Sequence, residues 1–163
     1  MNFEENLGEK LYANSAECLL KRFALSRHAE NGAFAECHYP STEEGRPASG
    51  SIYYYIAPNE YTKFHEIDCD EYWCYHAGST AELWVISPEG ELTITNVGVG
   101  ENAVPMLYIQ KGSIFGARHA EDEVEGTLFS CITVPRYMDG VSLQLFEKEE
   151  MLSKYPNTAA FWD

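Results

Sequence analysis

The side chains best suited to chemistry cluster between Tyr61 and Gly78, in the stretch Tyr61-Thr62-Lys63-Phe64-His65-Glu66-Ile67-Asp68-Cys69-Asp70-Glu71-Tyr72-Trp73-Cys74-Tyr75-His76-Ala77-Gly78. Two short strand-like runs, Lys63 to Ile67 and Glu71 to His76, flank the polar, turn-prone Asp68-Cys69-Asp70. A tight antiparallel hairpin is the expected arrangement, with His65 and Glu71 opposite each other on neighbouring strands. Side chains alternate along a strand, so Ile67 shares the face of His65, and Trp73 and Tyr75 share that of Glu71. One imidazole and one carboxylate then point into an aromatic-lined interior. That pairing suits an acid/base couple or part of a metal site. A slip of one residue would instead send Tyr72, Cys74 and His76 inward and Glu71 into solvent. The first register buries a carboxylate beside an imidazole that can hydrogen-bond to it, and the second buries a thiol and a second histidine.

Aromatic side chains are expected around this pair. Tyr53, Tyr55, Trp73, Tyr75 and Phe115 are candidates to line a cavity, because Trp and Tyr stack on flat or sugar-like molecules and carry a polar tip. The same rings also serve as ordinary core packing. Arg118 lies on a strand beside them and is expected to pair with Glu121 or Asp122 at the surface. Cys74 and His76 share a strand face at i, i+2, yet no neighbour marks the thiol as activated. No G-x-S-x-G, Gly-rich phosphate loop or H-E-x-x-H is present.

The elements that must hold these residues are mostly strands. The patterning predicts strands at Phe34 to Tyr39, Ser51 to Ala57, Ala81 to Ser87, Glu91 to Val97, Val104 to Gln110, Ser113 to His119, Thr127 to Val134 and Val141 to Phe146. Asn14 followed by Glu17 predicts a capped helix whose apolar side carries Leu19, Leu20 and Phe23. Residues 2 to 12 read as an acidic helix or arm, His28 to Gly32 as a turn, and Pro40 to Gly50 and Ala120 to Glu125 as loops. Glu147 to Tyr155 reads as a terminal helix stopped by Pro156. Many short strands with helices only at the ends predict an all-β sandwich or barrel.

Composition narrows the function classes. The 163 residues read as one domain, 1–163, large enough for a sizeable core; 45% are hydrophobic and 13% aromatic. The net charge of −15 disfavours nucleic acid and anionic membranes, whose phosphates attract basic faces. No run of apolar residues is long enough to cross a bilayer, and Met1 to Lys10 lacks the form of a signal peptide. Five unevenly spaced cysteines without a C-x-x-C predict reduced thiols and a cytoplasmic location.

The central stretch resembles the first cupin motif, G-x5-H-x-H-x(3,4)-E-x6-G, with Asn59, His65, Ile67, Glu71 and Gly78 at its positions. The second motif, G-x5-P-x-G-x2-H-x3-N, falls on Val104, Gln110, Gly112, Phe115 and His119. More of the chain, about residues 15 to 156, is similar to a small RmlC-like cupin subfamily of unknown function. The signatures are His28-Ala29-Glu30-Asn31-Gly32-Ala33-Phe34, Ser51-Ile52-Tyr53-Tyr54, Phe64-His65, Asp70-Glu71-Tyr72-Trp73 and Gln110-Lys111-Gly112-Ser113-Ile114-Phe115. Ala29, Asn31, Cys74 and Phe115 depart from the subfamily pattern.

The resemblance implies a jelly-roll barrel, the double-stranded β-helix of cupins, with short N- and C-terminal helices. It also implies a pocket for a small polar, carbohydrate-like molecule, and a homodimer. Cupins with metal use two His and a Glu of the first motif and a His of the second, so two ligand positions here are Ile67 and Phe115. His119, sharing a face with Phe115 and Ala117, is the remaining candidate third ligand. Cys74 or His76 becomes a fourth only if the strand bulges. Zinc sites take three or four ligands, so no bound metal or other cofactor is expected. Similarity to sugar epimerases of this fold implies an isomerase or epimerase with His65 as base, Glu71 orienting it and a Tyr as acid. The alternative is a non-catalytic binding or structural module.

Overall fold

The computed structural model describes Ala16 and residues 20–37, 45–119 and 125–163. Their strands are β1 (Ser26–Arg27), β2 (Ala33–Glu36), β3 (Gly50–Ile56), β4 (His65–Ile67), β5 (Asp70–Gly78), β6 (Ala81–Ile86), β7 (Leu92–Val97), β8 (Ala103–Val104), β9 (Met106–Ile109), β10 (Ile114–His119), β11 (Thr127–Val134) and β12 (Leu143–Leu145). Helix α1 (Lys148–Lys154) and a 3-10 helix (Pro156–Trp162) close the chain. Two six-stranded sheets form, ordered β1-β2-β3-β11-β5-β9 and β12-β4-β10-β6-β7-β8. Every pairing is antiparallel except β7 with β8, and the arrangement is the jelly roll that the cupin resemblance implies, within the all-β class that the strand pattern predicts.

Alternation places one face of each sheet in a shared core of Tyr54, Ile56, Ile67, Trp73, Leu83, Ile109, Phe115 and Phe129. The outer face of the second sheet is covered by α1 and the 3-10 helix through Phe64, Trp84, Phe146, Met151 and Phe161. Ala16, Leu20 and Phe23 cover the outer face of the first sheet with Tyr53, Tyr55, Ala77 and Leu128. The 3-10 helix is absent from the sequence pattern, as is β1. Pro156 stops α1 and then starts the 3-10 turn, where its missing N–H costs nothing. Pro105 splits the expected 104–110 strand into β8 and β9, which join different sheets. The expected helix or arm at residues 2–12, and the 120–124 part of the acidic loop, lie outside the described residues.

One expectation is overturned. β4 and β5 do not form a hairpin: β4 pairs with β10 and β12, and β5 pairs with β11 and β9. Asp68-Cys69 carries the chain from one sheet to the other. The crossing is held by Arg46, which donates to the two Asp68 carboxylate oxygens at 2.9 and 2.7 Å and to Ser142 Oγ at 3.0 Å. Its Nε–H also donates to the Arg136 carbonyl. The bidentate fork requires a planar guanidinium. Arg46→Lys is therefore expected to lower the urea midpoint, by about 1–2 kcal/mol of stability. A midpoint equal to wild type would show that the fork does not hold the crossing.

β5 changes parity along its length. Glu71 and Trp73 face the core, and the β5–β11 register shifts between Leu128 and Phe129, leaving His76 as the extra residue. Beyond it Ala77 faces the outer cluster. The carboxylate-inward register holds, since Glu71 is buried and Tyr72 and Cys74 are only partly so.

Candidate functional site

The two residues singled out first meet the same cavity, from opposite sheets. His65 opens β4, Glu71 stands near the start of β5, and both line a cavity of about 820 Å³. A third group completes the cluster. Glu30, from the turn between β1 and β2, lines the same cavity and sets Oε2 3.0 Å from His65 Nε2. The turn is closed by His28 N–H donating to the Gly32 carbonyl and Asn31 N–H to the His28 carbonyl. Asn31 and Gly32 both adopt positive φ, +78° and +69°. The Tyr54 hydroxyl donates to the Asn31 carbonyl at 2.8 Å, and Lys63 N–H donates to the Glu30 carbonyl at 2.7 Å. The carboxyl is thus fixed from both sheets.

The hydrogen bonds dictate where protons sit. His65 Nδ1–H donates to the Lys63 carbonyl at 2.8 Å, because a carbonyl can only accept. In the neutral ring Nε2 then bears a lone pair, and Glu30 must supply the hydrogen between them. Burial acts in the same direction on both partners. It pushes Glu30 up to about 7, against the opposing charge of His28 and the Tyr54 hydroxyl, and pushes His65 down to about 4, against the Lys63 carbonyl. The resting pair is a carboxylic acid donating to a neutral imidazole. Glu71 is pushed up to about 8, by burial first and then by nearby Glu30, with the Trp73 indole N–H at 2.8 Å opposing. His28 Nδ1 lies 3.6 Å from Glu30 Oε2, a second imidazole beside the same carboxyl.

The remaining candidates are placed differently. Trp73 is packed in the core with its N–H on Glu71, which it orients, and is not on the cavity wall. On β3 the face that enters the core carries Ile52, Tyr54 and Ile56. Tyr53 and Tyr55 sit on the outer face, where Phe23 stacks on Tyr53 at 4.2 Å; only Tyr53 reaches the rim of the cavity. Tyr75 packs on Phe129 and donates its hydroxyl to the Gly78 carbonyl at 2.6 Å. Phe115 lies behind His65, ring centroids 4.1 Å apart, and His119 Nε2 contacts Thr127 Oγ1 at 3.1 Å, away from the cavity. Arg118 pairs with Glu82 at 2.9 Å, and its expected partners Glu121 and Asp122 lie outside the described residues. Glu71 does not orient His65: that position belongs to Glu30 and the Lys63 carbonyl. Burial raises the Cys74 thiol, which opposes a nucleophilic thiolate.

The donor set does not fit a cupin metal. Ile67 and Phe115 occupy two of the four ligand positions, and Nε2 of His65 is engaged by Glu30. Among the described residues no three His, Cys, Asp or Glu side chains converge as ligands.

Fold and site together define a cupin barrel whose cavity is lined by a carboxyl–imidazole pair and a second carboxyl. The chain belongs to the family described as Cupin superfamily (DUF985), which residues 17–140 match. A protein from Shewanella oneidensis has a similar structure, with 29% identity, 90% of this chain and 93% of that one covered, and a TM-score of 0.78. A hypothetical protein from Leishmania major is 28% identical over 88% of this chain and 94% of its own, with a TM-score of 0.74. A mutant of oxalate decarboxylase from Bacillus subtilis, 15% identical, shares the fold over 83% of this chain and 35% of that one, with a TM-score of 0.57. No curated protein matches the sequence.

Proposed function

We propose that the cavity binds a small polar, carbohydrate-like molecule and moves a proton on it, as an isomerase or epimerase does. The observation that carries this reading is the Glu30–His65 contact, where the Lys63 carbonyl forces one proton to lie between a carboxyl and an imidazole inside a cavity. His65 is the base and Glu30 its conduit. A substrate C–H proton passes to Oε1 of Glu30, the Oε2 proton moves to His65 Nε2, and the electron pair left on carbon moves toward an adjacent carbonyl. Glu71, protonated near neutral pH, donates to the resulting oxyanion from the opposite sheet. General acid and base groups of this kind each contribute about 10²–10⁴-fold to a rate.

The test needs no known product. Protein is incubated in D₂O with a panel of ketoses, aldoses and uronic acids, and deuterium entry beside the carbonyl is followed by NMR. Exchange that is lost in His65→Ala and reduced at least about 100-fold in Glu71→Ala, which removes the donor, is expected. No exchange with any member of the panel would sink the catalytic reading.

A second reading, a non-catalytic binding module, is favoured by one observation. His65 is only 2% exposed with both ring nitrogens engaged, so a ligand touches Glu30 and Glu71 before it touches the imidazole. The wider reading is of one domain acting as a homodimer in the cytoplasm. Free thiols at Cys37, Cys69, Cys74 and Cys131 support the compartment. The dimer element we propose is the edge strand β9, with Met106 and Tyr108 exposed; the Tyr-rich strand β3, a dimer contact by the resemblance, is paired on both edges. A monomer by light scattering at micromolar concentration would remove the dimer.

A further inference from the structure

The chain carries a net charge of −15 and only five arginines, Arg22, Arg27, Arg46, Arg118 and Arg136. Three of them, Arg22, Arg27 and Arg136, line the cavity that holds Glu30, His65 and Glu71. We infer that the mouth of this cavity recognises an acidic group, a carboxylate or phosphate, on a small polar molecule whose other end reaches the Glu30–Glu71 floor. The inference rests on the proposed pocket reading and names the class of molecule that fills it.

The charges come from separate parts of the fold. Arg22 and Arg27 belong to the segment that ends in Glu30, and Arg136 follows β11. Among the described residues the carboxylates near these arginines, beyond the floor, are Glu36 and Asp139 on the lining and Glu60 beside Arg27. Two of the arginines already carry ion pairs. Arg27 pairs with Glu60, side chains 63% and 16% exposed, and Arg136 is 3.4 Å from Glu36, side chains 28% and 61% exposed. Each pair has one partner open to solvent, which screens it, so an arriving anion competes for the guanidinium. Arg22 is exposed and has no hydrogen bond or ion pair among the described residues. A guanidinium matches the planar fork of a carboxylate and two oxygens of a phosphate. The lining also carries the apolar Phe34, Ile52 and Ile67, which suit a short carbon skeleton. In a molecule of net charge −15, three of the five arginines gathered on one cavity give an anion a local set of guanidinium donors.

The test is titration of the full chain with glucose, glucuronate, glucose 6-phosphate and inorganic phosphate, followed by calorimetry and amide NMR. Glucuronate or glucose 6-phosphate is expected to bind at least tenfold more tightly than glucose, shifting amides of Glu30 and Glu71, and which acid wins distinguishes carboxylate from phosphate. Arg136→Gln and Arg22→Gln should each weaken that binding several-fold with circular dichroism unchanged, and 0.3 M salt should weaken it further. Equal affinity for glucose, binding of none of the four probes, or arginine variants that bind like wild type would overturn the inference. Acid binding lost in the arginine variants, without deuterium exchange in any substrate, would uphold it and reject the proton-transfer reading.

Discussion

Glu71→Gln is expected to leave stability at pH 5 nearly unchanged and to raise it by on the order of 3–5 kcal/mol at pH 8. The sign follows from proton uptake. Glu71 titrates from 4.5 in the unfolded chain to about 8 in the folded one, because burial opposes its charge. A carboxyl raised in this way contributes fully below 4.5, and its contribution is lost as pH climbs through about 8. Glutamine has the shape of the neutral acid and still offers an oxygen to the Trp73 indole, so it keeps the structure and removes the titration. The Glu30–His65 pair contributes little slope between 4.5 and 6.5. Folded, it holds one proton, on Glu30; unfolded, it also holds one, on the imidazole. His65 alone, lowered to about 4, would add stability above 6.5 that is lost as pH falls through 4, which offsets the opposite trend of Glu30. Above 6.5 the Glu30 loss adds to that of Glu71. Melting of wild type and variant across pH 5–8 checks this, with the variant as control for general repulsion among the acidic side chains. At about 2–4 °C per kcal/mol the separation at pH 8 is roughly 10 °C. Parallel curves would mean that Glu71 is ordinary and ionised.

Gly32→Ala should cost about 3 kcal/mol and detach Glu30 from His65. A Cβ at this position would lie 2.5 Å from the Tyr54 hydroxyl, on a residue with φ of +69°. Tyr54 is fully buried and held by its own hydrogen bond to Asn31, so its ring cannot swing aside. The turn must move instead, and Glu30 moves with it. Gly90→Ala is the matched control, with φ of +89° and no atom within 4 Å of the added carbon. It isolates the backbone cost of about 1–2 kcal/mol. Urea midpoints measure the energy, and ¹⁵N shifts of the His65 ring report whether Nε2 keeps its partner. Equal midpoints for the two variants, with unchanged His65 shifts, would refute the coupling.

How much could be read from the chain alone differs by feature. Strand positions followed from period-two patterning, and the terminal helix from Pro156. Period two leaves Glu71 either inward or outward, and the Asp70-Glu71-Tyr72-Trp73 resemblance is what favoured the inward register. The parity of β3 could not be read, because Tyr53, Tyr54 and Tyr55 present the same side chain in either phase. The hairpin was misread because Asp68-Cys69-Asp70 suits a reversal within one sheet and a passage between two equally well. The choice is made by the distant strands β10 and β12 and by Arg46. Glu30 sits in a polar turn with no periodicity to mark it. Only its place in the His28-to-Phe34 signature offered a clue, and that signature carries no chemistry by itself.

The crossing between β4 and β5 turns the barrel into a calliper. His65 rides on one jaw and Glu71 on the other, and the spacer between the jaws is the shared core of Trp73, Phe115 and Phe129. A hairpin would have locked the two groups at the fixed pitch of neighbouring strands. Here their separation follows the volume of side chains packed between the sheets, which transmit strain because they are close-packed. The gap between imidazole and carboxyl can therefore be adjusted a methyl group at a time, by residues that do not line the cavity.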